Sequence, residues 1–210
     1  MKTKFLHIAT ALLFVGFSSS CSDFLDRYPL DELSDSSFWK TENDAMMAVT
    51  DIYGCLPTWD QDEDINSDNA VHGIKWAAGN ISKGVYDPMD QSWAGSYTPI
   101  RQCNLVLEKV KDIEMSDESR KKIEGQAYFF RAFVYFNLIR SFGDVPYIDK
   151  PLNLTDVEDI TRTPREEVYA KVMADFDKAI EYLPEEWDAA NTRRVTKGAA
   201  LAMKARAALY

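Results

Sequence analysis

The sequence has 210 residues and a formal net charge of −10, from 34 acidic and 24 basic side chains. An acidic chain without a basic cluster repels phosphate backbones, which argues against nucleic acid as a partner. Of the two histidines, only His72 follows residue 20. That scarcity argues against a histidine-rich metal site and a local histidine-based triad.

Residues 1–20 have the organisation of a bacterial lipoprotein signal. Lys2 and Lys4 precede an apolar run from Phe5 to Phe17, which is shorter than a membrane span, and three serines then lead to Cys21. We expect cleavage before Cys21 and acylation of its thiol and amino group, an anchor worth about 0.8 kcal/mol per buried CH₂. The alternative is an ordinary secretory signal with a coincidental cysteine, since Phe17 replaces the leucine that is common there.

The next residues predict a short tether and then the first helix. Residues 21–40 are polar and acidic and are expected to form a lipidated tether, whereas residues 41–210 form a helical region. The first helix is predicted from Glu42 to Tyr53, with Thr41 as its N-terminal cap.

The segment from Leu56 to Gln91 has no sustained hydrophobic period. It combines several Gly, Asn, Asp and Ser residues with the aromatic rings of Trp59, Trp76 and Tyr86. A loop of this length in a compact domain is usually functional or disordered, and its aromatic content argues against disorder. We therefore predict a functional loop.

Two helices are predicted after this loop. An apolar stripe from Trp93 to Val110 predicts the first, in which Pro99 either starts the main part or introduces a kink. Residues Glu118 to Phe142 predict the second, with Ser116 as its cap. Its apolar surface is so wide that we expect burial on several sides.

The remaining helices are predicted near the end of the chain. One runs from Arg165 to Leu183, with a capping box of Thr163 and Glu166 around Pro164. The last starts near Thr196, and its Gly and Ala residues at 198, 199, 200, 202 and 205 predict a close approach to a neighbouring helix. The chain reaches Tyr210 without a helix stop, so we expect a truncated chain that continues beyond it.

Two cysteines and two arginines are candidates for structural roles. Cys55 and Cys103 are expected either to form a disulfide in an exported protein or to remain two buried thiols. Arg131 and Arg140, in the long helix, are interpreted as structural partners of acidic side chains.

No segment alternates with period two for long, so the predicted fold is all-α. The runs Gly125 to Tyr128 and Gly198 to Leu201 are similar to the first helix of a tetratricopeptide pair, and Ala179 with Pro184 has the spacing of the second. The distances do not keep a 34-residue period. We therefore expect irregular tetratricopeptide-like helix pairs with long ligand-binding loops.

Several motifs in order resemble the SusD/RagB family. The run from Glu124 to Pro146, EGQAYFFRAFVYFNLIRSFGDVP, is similar to a hallmark of that family, and so is the run from Arg162 to Tyr169. Residues 93–104 and 194–209 resemble its neighbouring helices. The resemblance implies an all-α lipoprotein of the outer membrane that faces the cell exterior. It also implies a SusC-like TonB-dependent transporter as partner, and a glycan ligand or, in some members, peptides or other nutrients.

Sugar binding needs flat aromatic rings and side chains that bond to hydroxyls. The loop supplies both, and the candidate ligand-binding residues are Trp59, Asp68, Asn69, Trp76, Asn80 and Tyr86. The alternative for each aromatic residue is that it only anchors the loop. Trp93 and Tyr97 are assigned to the core because they lie on a helical stripe.

Metal and enzyme functions are the remaining alternatives. Asp60, Asp62, Asp64, Asn66 and Asp68 alternate as in a calcium loop, but Ile65 and Val71 stand where that loop has its glycine and its closing glutamate. Glycoside hydrolysis uses paired carboxylates, yet no acid in the loop has an evident cause for a raised pKa. We predict no metal site, no cofactor and no catalytic residue. A peptide-capture protein and a helical protein-binding scaffold remain as alternative functions.

Overall fold

The computed structural model describes residues 38–56 and 93–210. Cys21, the predicted signal, nearly all of the predicted tether and the six candidate ligand-binding residues lie outside these ranges.

The described residues form five α-helices and three short 3₁₀ helices. The α-helices are α1 (Glu42–Ile52), α2 (Trp93–Lys109), α3 (Asp117–Phe142), α4 (Arg165–Tyr182) and α5 (Lys197–Ala208), and the 3₁₀ helices are Tyr53–Cys55, Val110–Asp112 and Leu154–Asp156. Within these ranges the extended pairing is a single antiparallel bridge between Val145 and Thr163. The all-α prediction is confirmed, and Pro99 lies inside α2.

Helix α3 is the centre of the packing. It contacts α1, α2 and α4, and 13 of its residues are buried around the whole circumference. Contacts between its start and the end of α4, such as Gly125 with Leu183, show that the two helices are antiparallel. The wide apolar surface that predicted burial on several sides thus serves several helix interfaces, of which those with α1, α2 and α4 are the largest.

A buried polar network fixes the mutual positions of α2, α3 and α4. The Arg131 guanidinium donates two hydrogen bonds of 2.7 Å to the Asp175 carboxylate and one of 2.8 Å to the Asn104 side-chain oxygen. Asn104 in turn donates to the Ile148 carbonyl at 2.9 Å. Because all three side chains are buried, this mutual pairing offsets the cost of removing a charge from water. The interpretation of Arg131 as a structural partner is confirmed.

The connection between α3 and α4 is held by side chains of the helices beneath it. The backbone N–H of Ile148 donates to the Tyr135 hydroxyl at 2.7 Å, and that hydroxyl lies 3.2 Å from the Ile148 carbonyl, to which it donates. The Tyr97 hydroxyl donates to the Pro146 carbonyl at 3.1 Å. These bonds pair backbone groups of the half-buried residues Pro146 and Ile148 beside the core.

Two of the predicted helix caps are confirmed and one is wrong. Thr41 caps α1 in a capping box with Asp44, and Ser116 caps α3. The predicted box of Thr163 and Glu166 does not form, since α4 starts after Pro164 without a side-chain cap from either. The Thr163 hydroxyl instead accepts the N–H of Tyr147 at 3.3 Å, because Thr163 is paired with the α3–α4 connection.

Another side chain takes over the role of the cap on α4. The Asp144 carboxylate accepts the N–H of Arg165 at 2.9 Å. A carboxylate at this position also interacts favourably with the positive end of the helix dipole.

Within the described ranges, the predicted acidic partner of Arg140 is not found, and the predicted close approach of α5 holds only in part. Arg140 is exposed and forms no ion pair with any residue in the described ranges. Of the small residues of α5, Ala200 is buried but Ala202 and Ala205 are exposed, so the predicted close approach is limited to part of the helix. No helix in the described part of the chain has the length and apolarity that a membrane crossing requires.

Candidate functional site

A groove lies where the end of α1, the first half of α2 and the second half of α3 meet. Its volume is about 490 Å³, within the range of small-molecule sites. It is lined by Asp51, Gly54, Cys55, Gly95, Ser96, Thr98, Pro99, Gln102, Phe133, Val134 and Asn137.

Local backbone structure makes room for this groove. Helix α1 ends in the 3₁₀ turn Tyr53–Cys55, which places the side-chain-free Gly54 at one wall. In the opposite wall, Pro99 has no N–H and cannot donate the helical hydrogen bond to the Gly95 carbonyl. The wall made by α2 is therefore low in side-chain bulk at Gly95 and irregular in its hydrogen bonding.

The polar side chains of the groove can bind a hydroxylated ligand. The Gln102 amide donates a hydrogen bond to the Asp51 carboxylate, which joins α2 to α1 across the groove wall. Asn137 is half-buried and forms no hydrogen bond with any described residue, so its amide keeps two donors and an acceptor for a ligand.

One aromatic ring lines the groove. Phe133 is half-buried and lies parallel to the ring of Phe129, with an interplanar angle of 12° and a centroid distance of 6.3 Å. The apolar part of the groove thus comes from a ring that its neighbour holds in place.

The thiol in the groove is not an activated nucleophile. Burial raises the pKa of Cys55 to about 11, so the neutral thiol dominates at neutral pH. Cys103 lies fully buried in the core, where burial also raises the pKa of its thiol. Both cysteines are free, so of the two alternatives for this pair the structure has unpaired thiols. Cys55, however, is only partly buried.

Trp93 and Tyr97, at the start of α2, contact other elements of the fold. Trp93 packs edge-on against Phe142 at a centroid distance of 4.9 Å, and the Arg162 guanidinium lies 5.3 Å from the Trp93 ring centre. Tyr97 is bonded to the α3–α4 connection, and burial raises the pKa of its hydroxyl to about 12. Both rings pack against the core as predicted, although both stay half-buried.

The groove and the predicted ligand loop are neighbours along the chain. The segment that carries the six candidate residues leaves the described structure after Leu56, next to Cys55, and rejoins it at Trp93, two residues before Gly95. Cys55 and Gly95 both line the groove. The six residues themselves lie outside the described ranges.

Sequence reasoning missed the polar residues of the groove. Asp51, Gln102 and Asn137 belong to three helices and share no motif. The signal that was present is Asn137, a polar residue between the buried Phe136 and Leu138 in the helix with the most buried residues among those described. Within the described residues, no cluster of three or more His, Cys, Asp or Glu side chains could hold a metal ion.

Comparison with known protein families identifies the family of this chain. Residues 23–209 match the SusD-like family that is described as starch-binding and associating with the outer membrane. The chain belongs to the SusD-like family. The resemblance inferred from the motifs of α3 and α4 is thereby confirmed.

Individual relatives agree with the SusD-like assignment. The chain is 30% identical to SusD-like protein P2 of Formosa agariphila over 199 residues, which are 88% of this chain and 38% of that protein. A SusD-like protein of Bacteroides ovatus is 26% identical, over 90% of this chain and 36% of its own length. The chain therefore spans less than two fifths of the length of these relatives.

Solved structures share the SusD-like fold. A SusD-like protein from Bacteroides fragilis superposes with a TM-score of 0.75 and 29% identity, over 88% of this chain and 38% of that one. A laminarin-binding SusD-like protein superposes with a TM-score of 0.72 and 24% identity, over 81% and 40% of the two chains. These matches support the arrangement of helices that surrounds the groove.

Proposed function

We propose that this chain belongs to a lipoprotein that captures oligo- or polysaccharides at the outer membrane without cleaving them. The observation that carries this proposal is the match of residues 23–209 to a family described as starch-binding and associating with the outer membrane. A sugar-binding role also agrees with the groove, which combines amide groups, a carboxylate and an aromatic ring.

The membrane association is proposed to come from a lipid on Cys21. A basic start, an apolar run and three serines precede this residue, as in a lipoprotein signal. Acyl chains on Cys21 would hold the protein on the outer membrane, facing the cell exterior. From there it would deliver its ligand to a SusC-like TonB-dependent transporter.

The ligand surface is proposed to include the loop between Cys55 and Gly95 in the sequence, two residues that line the groove. Trp59, Trp76 and Tyr86 would stack on the C–H faces of sugar rings. Polar side chains would bond the hydroxyls, and these are Asp68, Asn69 and Asn80. Because several polar side chains would share the hydroxyl contacts, the loss of one contact should weaken glycan affinity less than the loss of one aromatic ring.

The proposed capture without catalysis agrees with the described lining of the groove. Among the described residues that line it, Asp51 is the one carboxylate, whereas glycoside hydrolysis requires a pair. The buried thiol of Cys55 is neutral at physiological pH. The described lining residues therefore provide hydrogen bonds and an apolar surface.

Affinity electrophoresis tests this function. The complete mature protein with Cys21→Ser is run through gels that contain starch, laminarin or no polysaccharide, and released reducing sugar is assayed in parallel. We expect retardation without released sugar, and weaker retardation for Trp59→Ala and Trp76→Ala than for the exposed control Asn43→Ala.

Two other outcomes would contradict the proposed function. Retardation with released sugar would contradict the non-catalytic role. Migration that no polysaccharide changes would favour peptide capture or a helical scaffold that binds proteins.

A further inference from the structure

We propose that the groove is a subsite for a neutral sugar unit and that Asp51 excludes acidic sugars from it. The proposal rests on the glycan-capture function and specifies the class of glycan. It concerns residues on α1, α2 and α3, separate from the loop residues discussed above.

Size and shape favour a short unit over a long chain. The groove has a volume of about 490 Å³, in the lower part of the range for small-molecule sites. Three helices bound it, so it accepts the end of a glycan or a branch of one or two rings.

The hydrogen-bonding groups match sugar hydroxyls, each of which donates and accepts. The free amide of Asn137 offers both functions on one planar group. Opposite it, the bond from Gln102 fixes the Asp51 carboxylate, which keeps further lone pairs for hydroxyl donors. A group that is already held by a neighbour loses little freedom on binding.

Phe133 supplies the apolar contact that a sugar ring requires. Its ring packs parallel to the ring of Phe129. Asn137, which also lines the groove, follows Phe133 one helical turn later on α3. A ring and an amide spaced in this way can meet one face and one edge of the same pyranose.

The charge of the groove selects neutral ligands. Asp51 lines it, and none of its described lining residues is a lysine or arginine. The chain as a whole carries a net charge of −10. A uronic acid or a sulfated sugar would bring a second negative charge next to Asp51 with no cation among the described lining residues to compensate it, which disfavours binding.

The test compares neutral and acidic polysaccharides on the complete mature protein with Cys21→Ser. Gels contain laminarin, starch or polygalacturonate, and the variants are Asn137→Ala, Phe133→Leu and Asp51→Asn. Asn43→Ala is the matched control, because the Asn43 amide is exposed on α1 and contacts only the Met47 sulfur among the described residues.

We expect the wild type to be retarded by a neutral polysaccharide and not by polygalacturonate. Asn137→Ala should weaken the apparent neutral-glycan affinity up to about tenfold, the loss of one or two hydrogen bonds. Phe133→Leu should also weaken it, and Asn43→Ala should not. Asp51→Asn should introduce measurable retardation by polygalacturonate. Melting temperatures of all variants separate loss of affinity from loss of folding. If Asn137→Ala is unstable, the affinity of Phe133→Leu tests the groove instead.

Three results would overturn the proposal. If Asn137→Ala and Phe133→Leu bind neutral glycan like the wild type while Trp59→Ala does not, the groove is no subsite but the capture function stands. If polygalacturonate is the preferred ligand of the wild type, the assignment to neutral sugars is wrong. If no polysaccharide retards the wild type, both this inference and the glycan-capture function fail.

Discussion

Arg131 and Asp175 join α3 to α4 through two parallel hydrogen bonds of 2.7 Å in the interior of the protein. Both side chains are less than one tenth exposed, and Asn104 occupies a third donor of the guanidinium. The pair therefore fixes the register of the two helices while it keeps a buried charge compensated.

Replacing one partner of this pair is expected to be costly. Asp175→Asn leaves the Arg131 charge buried without a counter-charge, and removal of one partner from such a pair costs about 3–5 kcal/mol. The measurement is the free energy of unfolding from urea titration. The control is Asp177→Asn on the same helix, which loses a partly exposed ion pair with Lys204 and should cost less than about 1 kcal/mol. Equal losses for the two variants would show that the interior pair contributes no more than a surface one.

Gly125 permits the close approach of α3 to the end of α4. A β-carbon at this position would lie 3.0 Å from the Tyr182 β-carbon and 3.1 Å from the Leu183 γ-carbon. Gly125→Ala should therefore overpack the interface at a cost of about 1–3 kcal/mol, of which the better helix propensity of alanine recovers about 1 kcal/mol.

Gly54→Ala is the matched control for this substitution, because a β-carbon there meets no atom within 4 Å. Thermal unfolding of both variants decides the question. A stabilised Gly125→Ala protein would mean that the two helices can separate at no cost, and the packing argument would then be wrong.

The Tyr135 hydroxyl is expected to contribute to stability through the backbone of Ile148. It bonds both the N–H and the carbonyl of that residue. Tyr135→Phe leaves the partly buried N–H of Ile148 without its partner, which should cost about 1–3 kcal/mol, whereas the carbonyl of Ile148 keeps its hydrogen bond from Asn104. The neighbouring Tyr147→Phe is the control, since its ring packs on Tyr135 at 4.8 Å but its hydroxyl bonds no described residue. Urea titration of both variants should show a loss for Tyr135→Phe only.

The helices of this protein could be predicted from the sequence because their signals are local. Thr41 and Ser116 lie within one turn of the N–H groups that they cap, and the boundaries of α1 and α3 follow within one residue. The cap of α4 could not be predicted in this way. Asp144 stands 21 residues before the N–H that it accepts, and its position depends on the pairing of Val145 with Thr163.

The candidate site also combines features that the sequence indicates with features that only the packing of helices produces. The loop aromatics were recognisable from composition, and their role stays a prediction because they lie outside the described residues. The groove was not recognisable, since Asp51, Gln102 and Asn137 approach one another only after three helices have packed. The partner of Arg131 likewise depended on packing: the sequence indicated an acid, and the antiparallel pairing of α3 with α4 selects Asp175.

Cys55 in the groove and Cys103 in the core provide a last prediction, which concerns pH and redox state. At pKa about 11 instead of the ordinary 9.0, Cys55 carries about a hundredfold less thiolate at pH 8. Greater intrinsic nucleophilicity at the higher pKa recovers about tenfold of this, so alkylation by iodoacetamide should be about tenfold slower than for an unburied thiol. Because the pKa is raised, the rate should keep increasing with pH beyond 9, where that of an ordinary thiol levels off.

The experiment uses the complete mature protein with Cys21→Ser, so that Cys55 and Cys103 are its two thiols among the residues of this sequence. Mass spectrometry of the labelled peptides follows each site, and Cys55→Ser identifies the slower reaction of the buried Cys103. Unfolding in guanidinium without reductant should expose both thiols to the reagent. If neither is then labelled, the two cysteines form a disulfide in the exported protein, and their free state in this structure is the reduced form.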